Sequence, residues 1–220
     1  MNKAVICHAG ARDSYQLSIS LQKSGLLERL VTDLFLPPIL GKFLKKKFSS
    51  EIPYKNVENL YYNLIRQKLF NEQYSVTDKK LSLHALKVAI QNNSNLFLYS
   101  YTANEAFKYI KNRQLENKCF LFQLHPHPLS IRRMLQLELQ MQPNAKASIL
   151  MEPEMKLDDI EIEALSNESR LADNIIVASS FTKKTLIDQD VSADKITVIP
   201  YGVDHSKFPS KKNMIYMMVQ

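Results

Sequence analysis

Residues 172–208 read ADNIIVASSFTKKTLIDQDVSADKITVIPYGVDHSKF, and no other segment says as much about the architecture of the chain. Ile175, Ile176, Val177 and Ala178 make a short apolar run rich in β-branched residues, the composition of a strand buried on both faces of a parallel sheet. Ser179 and Ser180 stand where a helix N-cap is wanted. Phe181, Leu186 and Ile187 then recur at helical spacing, with Lys183 and Lys184 on the outer side. Asp190 to Asp194 is polar and turn-forming, Lys195 to Ile199 resumes as a strand, and Pro200 and Gly202 stop it. A strand, a helix and a second strand in quick succession form a βαβ unit, so the expected class is α/β: a Rossmann-like parallel sheet with helices on both faces.

Working back toward the N-terminus, the same reading predicts strands at Ala4–Cys7, Leu30–Asp33, Leu96–Tyr99, Cys119–Leu124 and Ala147–Met151. Between them it predicts a helix capped by Ser14 and ending near Gly25, with Leu17, Ile19 and Leu21 inward, and one long helix from Val57 to Tyr74. Further helices are expected at Lys80–Ile90, up to Ile110, at Leu129–Met141 and at Asp158–Leu171. In the last, Ile160, Ile162, Leu165 and Leu171 face inward and the acids outward.

Open α/β sheets bind small molecules beyond the carboxyl ends of their strands, which directs attention to the loops found there. The first contains Gly10 and Arg12. The loop after Leu124 is His125-Pro126-His127-Pro128, and after Met151 comes Glu152-Pro153-Glu154. His125 can face the cleft on a turn stiffened by two prolines, with His127 as a second contact. An H-x-H pair offers two metal ligands, but no third ligand stands at a spacing that forces convergence, so no metal is expected. The two glutamates can orient hydroxyl groups or act as a base, or form a solvated turn. The dinucleotide pattern G-x-G-x-x-G is absent, which argues against NAD or FAD.

Composition narrows the class. The 220 residues are 45% hydrophobic and 23% charged with a formal charge of +7, a globular chain able to meet anions. Cys7 and Cys119 lie in apolar runs, which predicts buried free thiols. Lys42, Lys45, Lys46 and Lys47 alternate with Phe43, Leu44 and Phe48, a pattern that fits either a solvated helix face or peripheral contact with a membrane surface. It carries no nucleic-acid motif. No apolar run is long enough to span a bilayer, and the expected location is the cytoplasm, with peripheral attachment at the inner face of the membrane as the extension.

The block AD-x-I-I-V-x-S-x-F-T-K-K-x-L followed by K-I-T-V-I-P-Y-G-V-D-x-x-x-F resembles the end of the N-terminal domain of GT-B glycosyltransferases of the family 4 type. The resemblance implies a Rossmann-like acceptor-side domain over residues 1–208. Residues 209–220 would be a linker and the first strand (214–219) of a donor-binding domain, with a hinge at Pro200, Gly202 and Asp204. It further implies transfer of a sugar from a nucleotide-sugar donor to the hydroxyl of a glycan or lipid-linked acceptor, with retention and without a metal or other cofactor. His125 would be the catalytic residue, and Gly10, Arg12, His127, Ser180 and Lys183 would contact substrate. On this reading the chain is truncated and inactive alone. The alternative is a noncatalytic module of the same fold that binds a glycan, a membrane or a partner.

Overall fold

The computed structural model describes residues 2–41, 47–70 and 74–202. Lys42, Lys45, Lys46, Asp204 and the strand expected at 214–219 therefore lie outside the described residues. Seven strands, β1 (Ala4–Cys7), β2 (Leu27–Thr32), β3 (Val57–Asn59), β4 (Asn95–Tyr99), β5 (Cys119–Gln123), β6 (Asn174–Val177) and β7 (Ile196–Val198), form one sheet in the order β3-β2-β1-β4-β5-β6-β7. Every neighbouring pair is parallel. This is a doubly wound Rossmann-like order. The connection direction reverses between β1 and β4, which leaves a crevice at their carboxyl ends.

The helices are α1 (Gln16–Lys23), α2 (Pro38–Gly41), α3 (Tyr61–Phe70), α4 (Tyr74–Gln91), α5 (Asn104–Asn112), α6 (Pro128–Met141), α7 (Lys146–Ile149), α8 (Pro153–Lys156), α9 (Asp159–Leu171) and α10 (Ser180–Ile187). Alternate strand residues divide between two cores. Val5, Cys7, Leu96, Leu98, Cys119, Leu121, Ile175 and Val177 pack with α4, α5 and α10. Ile6, Phe97 and Tyr99 face the other way, toward α1, Phe35 and Ile52. A strand whose two faces both need burial must be apolar throughout, which is why these segments read as continuous hydrophobic runs.

Four expectations are corrected. The segment 57–74 is not one helix: Val57–Asn59 extends along β2 as the edge strand β3, and α3 begins only at Tyr61. Leu69, Phe70 and Tyr62 of α3 are exposed. Ala147–Met151 is not a strand; its residues are taken up by the short helix α7 and the turn after it, and the sheet receives β6 directly beside β5. Ser14 does not cap α1, because Asp13, Ser14 and Tyr15 all adopt left-handed φ and the helix starts at Gln16. In α9 the inward face is shifted: Ile160 is 81% exposed, while Ile162 and the acidic Glu168 are buried. Asp158 caps this helix in a reciprocal capping box with Glu161, and the cap sets the start of the helix independently of its apolar pattern. In α10, Ser179 is the cap, accepting from Thr182 N at 3.0 Å, and only Leu186 of the three apolar residues is buried.

Candidate functional site

A cleft of about 580 Å³ opens at the carboxyl edge of the sheet, lined by Arg12 from the loop after β1, Ser100 and Tyr101 after β4, His125 after β5, and Glu152 and Glu154 beside α8. Its position follows from topology. The loops after β1 and β4 diverge at the reversal of strand order, and the loop after β5 closes the neighbouring side.

The β1 loop is held from beneath. Gly10, at φ +62, donates its N–H to Asp33 at 2.6 Å, and its carbonyl accepts from Thr32 Oγ1 at 3.2 Å. The next turn places Asp13, Ser14 and Tyr15 at φ of 48, 50 and 62, a conformation unfavourable for side chains with a Cβ. Tyr15 anchors it by donating to the Leu34 carbonyl at 2.5 Å and packing its ring 5.0 Å from Phe35. Arg12 then projects over the Tyr99 ring, 5.1 Å from its centre, a cation–π contact, and lines the cleft. His8 lies below this loop, and burial lowers its pKa to about 4. Asp78 of α4 is near the same loop, and burial with the Asp33 charge raises it to about 6.

The β4 loop is built on Glu168. This carboxylate, buried in the last turn of α9, accepts the N–H groups of Tyr101 at 2.7 Å, Ala103 at 2.7 Å and Asn104 at 3.1 Å. It thereby satisfies buried amides at the start of α5 that have no partner within the helix. Burial raises its pKa to about 7 against the pull of those three amides. Tyr101 sits at φ +76, and its hydroxyl donates to the Glu154 carboxylate. The Tyr101 ring also meets the His125 ring edge to face, 5.9 Å between centres. One aromatic side chain therefore ties together the histidine and a carboxylate of the cleft.

The His-Pro-His-Pro turn is fixed from two sides. Buried Gln123 donates to the carbonyls of His125 at 3.0 Å and Pro126 at 3.4 Å, and His127 N–H donates to Thr185 of α10 at 3.0 Å. The two histidines part company. His125 is exposed in the cleft, whereas His127 is fully buried, accepts Leu129 N–H at its Nδ1 as the cap of α6, and has its pKa lowered to about 4 by burial. Across the cleft, Arg132 of α6 donates to the Glu154 carbonyl at 2.9 Å and to Asp159 at 2.8 Å, clamping the acidic turn.

The sequence-predicted residues thus separate. Arg12 and His125 line the cleft together, whereas Gly10 does not line it and is held within the β1 loop by Asp33. His127 lies inside the turn. Ser180 is exposed at the start of α10, and Lys183 reaches the Ile196 carbonyl of β7 at 3.0 Å; neither lines this cleft. Pro200 and Gly202 are exposed, and neither lines this cleft. Sequence reasoning passed over Tyr101 and Glu168. The only signals were a tyrosine at a strand end and an acid at position 168 on the same helical face as Ile162 and Leu165. Among the described residues no cluster of three or more metal-ligating side chains occurs.

No family model matches this chain, and no curated protein matches it. Among solved structures it is similar to apo UGT2 of Phytolacca americana, at 11% identity and a TM-score of 0.41, covering 99% of this chain and 55% of that one. It is also similar to the same plant's UGT2 complexed with UDP-2fluoro-glucose and pterostilbene, at 12% identity and a TM-score of 0.44, covering 99% of this chain and 57% of that one. The chain spans just over half the length of these structures, and likenesses this loose assign neither family nor activity.

Proposed function

We propose that this chain is the acceptor-side domain of a GT-B glycosyltransferase of the family 4 type, which transfers a sugar from a nucleotide-sugar donor to an acceptor hydroxyl. The observation that carries the reading is the convergence of His125, Tyr101, Arg12 and two carboxylates on one cleft beside the strand-order reversal. The resemblance of the β6–α10–β7 block to the closing segment of that family's N-terminal domain supports it.

In this reading the acceptor lies in the cleft, its hydroxyls held by Glu152 and Arg12, while His125 contacts the reacting sugar. The bond between the anomeric carbon and the phosphate breaks as the acceptor oxygen bonds that carbon. In a retaining, metal-independent transfer the acceptor proton leaves with the departing phosphate. The exposed imidazole of His125 supplies a polar contact where positive charge develops on the sugar ring. The donor nucleotide belongs to a second domain, and Pro200 and Gly202 act as the hinge to it.

The test is turnover of nucleotide sugars by the chain joined to a donor-binding domain. His125→Ala is expected to lower kcat by about a hundredfold or more, the scale of a lost polar group acting at the reacting centre. An unchanged kcat in that variant removes His125 from the reaction.

A further inference from the structure

The cleft is chemically divided. Arg12, His125 and Glu152 are polar and charged, while Ile131 and Met134 of α6, with Pro153, give it an apolar wall. That wall does not stop at the cleft. Counting from Ile131, Met134, Leu137 and Met141 follow at i+3, i+6 and i+10, which places the four within about a third of the helix circumference. Met134 is 41%, Leu137 50% and Met141 71% exposed. Arg132 stands on the opposite side of α6, where its guanidinium bonds the Glu154 and Leu157 carbonyls and the Asp159 carboxylate. That side is the one packed on α8 and α9, so the apolar stripe is left open. Leu150 and Met151, the latter 67% exposed, add to the apolar surface in the turn just before Glu152. Between Ile131 and Met141 the helix rises about 15 Å, which makes the stripe a track leading away from the cleft.

Scattered single apolar side chains need no partner, but these continue the wall of a cavity. Methionine is flexible and polarisable, a side chain that fits itself to an irregular apolar ligand. Tyr101 is the one tyrosine lining the cleft, and its ring already meets His125 while its hydroxyl is taken by Glu154, so the site presents no open platform for a flat ring. Arg133 and Glu138 border the stripe with opposite charges, which is not the basic surround of a face that binds an anionic bilayer. A narrow track of aliphatic and thioether groups along one helix matches a linear alkyl chain.

We infer that the ligand of this cleft is an amphiphile, with a hydroxyl-bearing head among Arg12, His125 and Glu152 and an aliphatic chain that runs along Ile131, Met134, Leu137 and Met141. The inference rests on the reading of the cleft as the acceptor site, and it selects the lipid-linked acceptor over the free glycan.

The test is an NMR titration of the 220-residue chain, labelled with 13C-methyl methionine, with methyl, butyl, hexyl and octyl glycosides of a panel of hexoses, each kept below its micelle concentration. Each added methylene should tighten binding about twofold, less than the gain of complete burial because the track covers one side of the chain. The His125 ring signals should move with every homologue, and the Met134 and Met141 methyl signals only with the longer ones. Leu137→Glu, at an exposed position, should weaken octyl glycoside binding about tenfold or more, whereas Gln136→Glu, exposed on another side of α6, should keep the whole series. Methyl and octyl glycosides of equal affinity, both moving His125, overturn the inference and leave the acceptor reading standing. A chain-length gain that moves the methionines but not His125, or no binding by any homologue, overturns the inference together with that reading. A gain that survives Leu137→Glu puts the chain elsewhere and overturns it, as does a concentration-dependent dimer lost in Leu137→Glu with no chain-length gain.

Discussion

Replacing Glu168 tests how the cleft is held in shape. Its two carboxylate oxygens satisfy three amides: Oε2 accepts from Tyr101, and Oε1 accepts from Ala103 and Asn104. A buried amide left without a partner costs about 1–3 kcal/mol. In Glu168→Ala all three lose their acceptor, and even at the low end of that range the loss is about 3 kcal/mol, a large share of the stability of about 5–15 kcal/mol usual for a domain. Glu168→Gln keeps one oxygen for Ala103 and Asn104 but turns an NH2 group toward Tyr101 N–H, so about 1–3 kcal/mol is expected. The pH dependence separates charge from shape. The folded state raises the Glu168 pKa to about 7 from the ordinary glutamate value of 4.5, so between those values the folded chain holds the proton more tightly than the unfolded one. Stability from this group is therefore lost as pH rises from about 4.5 to about 7. His8 and His127, lowered to about 4, act in the opposite sense and cost stability as pH falls below the unfolded value of 6.5. Asp78, raised to about 6, adds a smaller slope of the same sign as Glu168, so the wild-type profile sums these opposed slopes and Glu168→Gln should remove the Glu168 part and leave those of Asp78 and the histidines. Urea unfolding over a pH series measures the slopes, and amide hydrogen exchange at residues 101, 103 and 104 reports the loop. Unchanged protection at those amides, with a loss below about 0.5 kcal/mol in Glu168→Ala, would refute the account of the loop.

Three further outcomes follow from the geometry. Tyr101→Phe removes the hydroxyl that Glu154 accepts; it should cost about 1 kcal/mol in urea unfolding, and free rotation of the Glu154 side chain should appear in NMR relaxation. His125→Ala, at an exposed position, should leave stability within about 0.5 kcal/mol of wild type, so that any loss of activity cannot be ascribed to unfolding. The thiols of Cys7 and Cys119 are buried, the first raised well above its ordinary pKa and the second to about 12, so a thiol reagent at pH 8 should label neither until urea unfolds the chain.

The sheet was largely legible because its central strands are buried on both faces, and such strands must be written in apolar letters, as Ala4–Cys7 and the Ile-Ile-Val of β6 are. Edge strand β3 was not. Val57-Glu58-Asn59 has one apolar residue, and it is recruited by pairing with β2, a tertiary contact that no local pattern announces. The cleft divides the same way. His125 was singled out because a strand followed by His-Pro-His-Pro places it at the ligand edge and, mostly, because the family resemblance puts a histidine there, and Arg12 because it follows the first strand. Glu168 escaped because an acid in an amphipathic helix reads as solvent-facing. Its inward role exists only because α9 packs over the start of α5, 64 residues away in the chain. Tyr101 escaped for a related reason, since its left-handed backbone is imposed by that carboxylate and not by its own preference.

The account rests on acceptor recognition at the cleft lined by Arg12, Tyr101, His125 and Glu152. NMR titration of the 220-residue chain with a panel of oligosaccharides reads this out, following the ring protons of His125 and Tyr101. At least one sugar should shift both sets of signals saturably, with the response lost in Arg12→Ala and the buried His127 signals left in place. Saturable sugar binding that leaves His125 and Tyr101 unmoved, or no binding across the panel, contradicts the assignment of this cleft as the acceptor site.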